Sequence, residues 1–185
     1  MLSMHTLTAD QRTAITGELE RSHSALLNAA RGLTSTQFIW KPAPDRWSVA
    51  ETLEHIALVE NLFQGRLNRM SAGEPSTEAA ERVAGRTETI AQAGRSRATK
   101  RNAPSPAQPQ GVFTSFEAFE IHFTPLRQRS ITFVQTTDVP LHALTEVHPA
   151  LGELSGYQWL RLLSAHCERH TEQAHEVRAT PGFPS

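Results

Sequence analysis

Four stretches of this chain open alike, with a hydroxyl residue followed three positions later by Glu or Gln: Thr8 with Gln11, Ser48 with Glu51, Thr114 with Glu117, and Ser155 with Gln158. Such a pair answers two of the backbone N–H groups that a helix start leaves without partners. The hydroxyl caps forward and the longer side chain reaches back. Each opening is followed by apolar residues at helical steps of three and four. The pattern predicts an all-α chain.

The first helix is expected from about Ala9 to Arg31, with Ile15, Leu19, Leu26 and Ala30 turned inward. The second is expected from Val49 to about Met70, burying Val49, Leu53, Ile56, Phe63, Leu67 and Met70, with Val59 and Leu62 widening that face. The third carries Phe116, Phe119, Phe123, Leu126 and Phe133, with Ser130 in one slot of the series. Pro125 removes one backbone bond there and crowds the carbonyl of Ile121, so a kink is expected, or a break restarting with Thr124 as cap. The fourth runs from Gly156 to about Ala179, with Leu160, Leu163, Cys167, His170, Ala174 and Val177 inward and Pro181 closing it. Alternation of β-branched residues is absent, and no sheet is expected.

Between the first two helices, Gly32 to Trp47 reads as a loop; between the last two, so does Thr137 to Leu154. Ser71 to Gly111 differs, because its sizeable aliphatics are only Val83 and Ile90 and it ends in a run holding Pro104, Pro106 and Pro109. A short helix near Thr77 to Ala93 fits, but a second core does not, and the segment is expected to be the most mobile or partner-dependent part of the chain. The expected architecture is one domain over 1–185, a four-helix bundle with a long crossover between its second and third helices.

Eighteen basic residues against nineteen acidic ones leave no broad electrostatic field, which argues against wholesale binding of nucleic acid or anionic membrane. No apolar run reaches membrane-spanning length and no secretory leader is evident, so a soluble cytoplasmic protein is expected. The one cysteine, Cys167, excludes an internal disulfide and zinc sites built on several thiolates. Any metal must rely on histidine and carboxylate.

Nine histidines are present. His166 and His170 sit at i and i+4 on the fourth helix, which stacks two imidazoles on one face close enough to share a divalent ion. The same spacing also occurs on ordinary helix surfaces. His55, beside Thr52, Val59 and Leu62 on the second helix, points toward the interior or its margin. It is either a core histidine bonded to a carbonyl or water, or a third ligand facing the pair. Three imidazoles leave coordination positions open, as catalytic zinc sites do, and nickel, iron or cobalt suits the same set.

The stretch WSVAETLEH from Trp47 to His55, the VHPALG loop from Val147 to Gly152, and HCERH from His166 to His170 followed by Gln173 resemble the DinB-like superfamily. That group includes bacillithiol-, mycothiol- and glutathione-dependent transferases and proteins once described as metal-dependent hydrolases. The resemblance spans nearly the whole chain. It implies a four-helix bundle, commonly a homodimer, with a divalent metal (zinc, nickel or iron) on three histidines, which fall on His55, His166 and His170. It further implies an enzyme that passes a low-molecular-weight thiol to an electrophile. A metal-dependent hydrolase and a non-catalytic, stress-associated binding or interaction bundle are the alternatives.

Other residues read as structural first. Glu51 is within reach of His55 but serves Ser48 as capping partner, and Gln173 is either an exposed polar residue or a partner of the site one turn beyond His170. Cys167 lies about 100° around the helix from His166 and reads as packing. Trp40, Trp47 and Trp159 read as packing of the bundle and its ends, and His148 as a loop buttress. His5, His23, His122, His142 and His175 have no motif behind them. Arg95, Arg97, Lys100 and Arg101 form a basic run, either a solvated loop or a clamp for an anionic thiol or phosphate.

Overall fold

A computed structural model describes residues 6–98 and 102–185; His5, Lys100 and Arg101 lie outside them. The chain is mostly helical. Four long helices carry the core: α1 (Ala9–Ala30), α3 (Val49–Ser71), α6 (Phe116–Thr136) and α7 (Gly156–Arg178). Capping boxes at Thr8, Ser48 and Ser155 start α1, α3 and α7, each with both reciprocal bonds formed. The start of α6 differs from expectation. Its cap is Ser115, which accepts from the Ala118 N–H, rather than Thr114.

Two buried apolar clusters hold these helices together. One joins Leu26 and Ala30 of α1 to Val49, Leu53 and Ile56 of α3, Phe116, Phe119 and Phe123 of α6, and Ala174 and Val177 of α7. The other joins Ile15 and Leu19 to Phe63, Leu67 and Met70, Ile131 and Val134, and Leu160 and Leu163. The C-terminal halves of α1 and α7 thus meet the N-terminal halves of α3 and α6. That pairing runs α3 and α6 side by side in one direction, against α1 and α7, and a long connection between α3 and α6 is the only way to restart at the same end.

Between the clusters lies a buried ion pair. Arg127 and Glu60 are both fully enclosed, with Arg127 Nη2 donating to Glu60 Oε2 at 2.9 Å. Ser130 donates to the other carboxylate oxygen at 2.6 Å, while Arg127 Nη1 donates to the Leu19 carbonyl and Ser22 Oγ.

The connections are more structured than expected. The first loop contains α2 (Ser35–Ile39), with its own capping box at Thr34 and a buried Phe38. The crossover forms α4 (Thr77–Val83), α5 (Thr87–Arg95) and a 3₁₀ turn, Ser105–Ala107, rather than one short helix. Helix α5 lies against α7 so closely that a Cβ at Gly94 would stand 2.8 Å from Leu162 Cδ1 and 3.0 Å from Ala165 Cβ, so any side chain there would have to push a neighbour aside. The expectation of no sheet is corrected: β1 (Thr145–His148) and β2 (Gly152–Ser155) pair as a small antiparallel hairpin in the mostly helical chain, Thr145 opposite Ser155. Leu62 is 43% exposed rather than part of the buried face.

Pro125 does not break α6, which runs through it as one helix. The proline is exposed, as is Ile121 four residues before, so water can take the place of the lost bond. Thr124 stays inside the helix, its hydroxyl 3.4 Å from His23 Nε2, and caps nothing. No helix among the described residues is long and apolar enough to cross a membrane.

Candidate metal centre

His55 lies two turns into α3, where the Ser48 cap fixes the helix start and hence the direction of the side chain. It is 4% exposed. Opposite, α7 presents His166 and His170 one turn apart. The three rings converge, with centroids 4.5 Å apart for His166 and His170, 4.7 Å for His55 and His170, and 5.1 Å for His55 and His166. One ring nitrogen from each falls within 4.8 Å of the others.

Hydrogen bonds decide which nitrogens these are. His55 Nδ1 lies 2.7 Å from the Ala107 carbonyl, which can only accept, so that nitrogen carries the proton and Nε2 carries the lone pair. His170 Nδ1 lies 2.9 Å from Gln173 Oε1, to which Arg97 Nη1 also donates. Its Nε2 is likewise left with a lone pair. Orientation of a ligating imidazole by a carbonyl on its far nitrogen is the usual support for a metal ligand. His166 Nε2 stands 3.4 Å from His55 Nε2, and the Nδ1 of His166 is buried with no hydrogen-bond partner among the described residues.

The donors fit a divalent ion. Two nitrogens each about 2.0–2.1 Å from a tetrahedral ion are about 3.3 Å apart, close to the His55–His166 separation. Burial favours the uncharged ligand form of all three rings. It pushes His166 down to about 3, helped by His55, Arg169 and His148. His170 is lowered by burial and then by His166 and His55. His55 is lowered by burial, which outweighs the opposing Ala107 bond.

Trp47, expected as end packing, stands beside the site, its ring 5.0 Å from His55 and 6.3 Å from His170. Two contributors had no sequence signal: the backbone carbonyl of Ala107, and Glu54, whose carboxylate holds the adjoining backbone of Gln110, Gly111 and Val112. Glu51 is the capping partner, accepting from Ser48 N–H and pairing with Lys41. Gln173 does reach the site.

Cys167 is fully buried, donates to the Ser22 carbonyl, and has its thiol pushed up by burial. It packs away from the histidines. His148 accepts from the Ala150 and Leu151 N–H groups in the hairpin turn. His142 packs on Tyr157, His122 on Phe113 and His23 on Phe123, outside the cluster, and His175 lies in the last turn of α7. Arg95 pairs with Glu168 and Arg97 with Glu176, so this part of the basic run ties the crossover to α7. Trp40 packs on Phe183, and Trp159 lies under Arg66.

An uncharacterized protein, YuaE of Bacillus subtilis (strain 168), is 24% identical over 151 residues, covering 82% of this chain and 89% of the relative. No solved structure matches. A sequence model of the DinB superfamily matches residues 18–174, a span holding all three converging histidines, and the chain belongs to that superfamily.

Proposed function

We propose that the chain binds one divalent metal ion through His55, His166 and His170, and that this centre transfers a small thiol to an electrophile. The convergence of three neutral imidazoles, with His55 and His170 oriented by far-side hydrogen bonds, carries the metal reading. The thiol chemistry rests on the likeness to the superfamily's transferases. When bound, the ion supplies a Lewis acid that favours thiolate at neutral pH.

The chain's own residues do the rest. Ala107 and Gln173 hold two of the rings, so that their Nε2 atoms face inward. Trp47 forms an apolar wall beside His55 and His170 and limits water there. Three protein ligands leave positions for thiol and electrophile. In this proposal α1, α3, α6 and α7 form the four-helix bundle of a single domain. α1 and α3 each pack against both α6 and α7, which supports that reading. Zinc, nickel and iron all accept such a donor set, and availability selects among them.

Elemental analysis of untagged protein, beside His55→Ala and His170→Ala, tests the centre. One divalent ion per chain is expected in the parent and none in the variants; a parent without stoichiometric metal refutes the reading. Monochlorobimane supplied with bacillithiol, mycothiol or glutathione tests the chemistry. Metal-dependent acceleration with one of these thiols is expected, and no acceleration with any of them, in metal-loaded protein, turns the assignment toward hydrolysis or binding.

A further inference from the structure

The crossover returns to the core at two adjacent residues of α3. Glu54 is 2% exposed, and its carboxylate accepts backbone N–H bonds from Gln110 at 2.6 Å, Gly111 at 2.9 Å and Val112 at 3.0 Å. Charge-assisted bonds of this kind are strong, and a buried carboxylate stripped of them is costly. Gly111 has φ +75°, a left-handed conformation that glycine adopts without strain and that helps successive amides converge on one anion. His55, the next residue of α3, meets the Ala107 carbonyl at 2.7 Å. Ala107 is 1% exposed, and only Gln108 and Pro109 separate it from the clamped segment.

Successive helix residues point about 100° apart, so Glu54 faces the strap while His55 faces α7. We propose that Glu54 is a positioning residue: by anchoring Gln110 to Val112 it seats the Ala107 carbonyl on His55 Nδ1 and fixes the tautomer whose Nε2 faces His166 and His170. Its consequence for metal affinity rests on the metal reading above; the tautomer does not. Without the anchor, the carbonyl no longer has a fixed place and the His55 proton is free to move to Nε2, where it blocks ligation. The coupling is reciprocal. An ion on Nε2 holds the proton on Nδ1, and so holds the strap.

The test compares the parent with Glu54→Gln, Gly111→Ala and, as control, Glu51→Gln, which keeps a capping side chain on the same helix. Gly111→Ala disturbs the strap without altering α3, and answers if Glu54→Gln does not fold. Imidazole ¹⁵N spectra of metal-free protein should show His55 as one Nδ1–H tautomer in the parent and control, and as a mixture in both strap variants. Titration with Co²⁺, read by its visible d–d absorption, should give about tenfold or weaker affinity and an altered spectrum in the strap variants. Parent tautomer and parent Co²⁺ affinity in both strap variants overturn the proposal, as does an equal change in Glu51→Gln. A parent that takes up no Co²⁺ sinks the metal reading alone, because the ¹⁵N spectra still decide what Glu54 does.

Discussion

Five residues along α3 from His55, Glu60 is also buried, yet the two side chains keep different company. Glu60 meets Arg127 and Ser130, and Arg127 in turn donates to Leu19 and Ser22. Opposite charges cancel there and both Glu60 oxygens accept, while Arg127 Nε is buried without a hydrogen-bond partner among the described residues. His55 meets His166 and His170, a second and third group of its own kind, and burial lowers the pKa of each, which favours the uncharged rings. The lone pairs of His55 and His170 turn into the cluster, and His166 Nδ1 has no hydrogen-bond partner among the described residues. Both clusters are polar, and α3 contributes a buried residue to each. One, the closed cluster, cancels its charges within the chain; the other, the open one, gathers three rings of one kind that could hold a metal ion.

The largest effect expected is in the closed cluster. Arg127→Met leaves the Glu60 carboxylate buried without its counter-charge, which costs about 3–5 kcal/mol, while Glu60→Leu combined with Arg127→Met restores most of it. Urea unfolding measures both. A single variant within about 1 kcal/mol of the parent would break the contrast, because Glu60 would then not depend on Arg127. In the open cluster the same measurement should respond to metal instead. Zn²⁺ at 100 times its Kd raises parent stability by about 2.7 kcal/mol, and the increment should vanish in His166→Ala yet persist in the double Glu60/Arg127 variant.

Acid separates the regions next. The folded His166 is lowered to about 3 from an ordinary 6.5, and His23, beside Arg127, to about 4 by burial and then by that guanidinium. For each, the unfolded chain takes up a proton where the folded one does not. Their stabilising contributions are therefore complete above pH 6.5 and are lost as pH falls from 6.5 toward the folded value. Melting temperatures of metal-free protein between pH 8 and 4 should fall in the parent and fall less steeply in both His166→Ala and His23→Gln. Of these two, only the His166 contribution continues to decline between pH 4 and 3. An unchanged slope in His166→Ala would mean that the cluster is already open to protons.

The sequence carried the four long helices because each begins at a hydroxyl cap and buries a stripe several turns long. Its misreadings occur where those signals are short or absent. Thr114 and Ser115 both offer a capping hydroxyl, and only the backbone turn at Ser115 selects between them. Thr34 and Gln37 form a capping box too, but five residues show no period. In the hairpin each strand has four residues and Val147 is 66% exposed, so no alternation marks it. The crossover was underrated for a related reason: beside Val83 and Ile90 it docks through Ala79, Ala91 and Gly94, and through backbone groups at Ala107 and Gln110 to Val112. Small side chains and main-chain atoms leave no hydropathy trace. Of the centre, the pair on α7 was visible as a spacing, and its meeting with His55 was one of two readings of that residue, which the resemblance then favoured.

The smallest effect tests the edge of the open cluster. Gln173 is half-buried and touches no ligand-side nitrogen; its Oε1 accepts the Nδ1–H of His170. Gln173→Leu keeps a side chain of similar bulk and removes that acceptor. Arg97 retains its partner Glu176, so the tie from crossover to α7 survives. In metal-free protein the loss is one partly solvated hydrogen bond, about 1 kcal/mol or less. With metal, His170 is no longer held in its ligand tautomer, and affinity should fall about tenfold, about 1.4 kcal/mol. Calorimetric titration with Zn²⁺ and urea unfolding of the metal-free variant give the two numbers. If the unfolding loss exceeds the binding loss, Gln173 serves the helix rather than the ion, and the open cluster is closed at that edge.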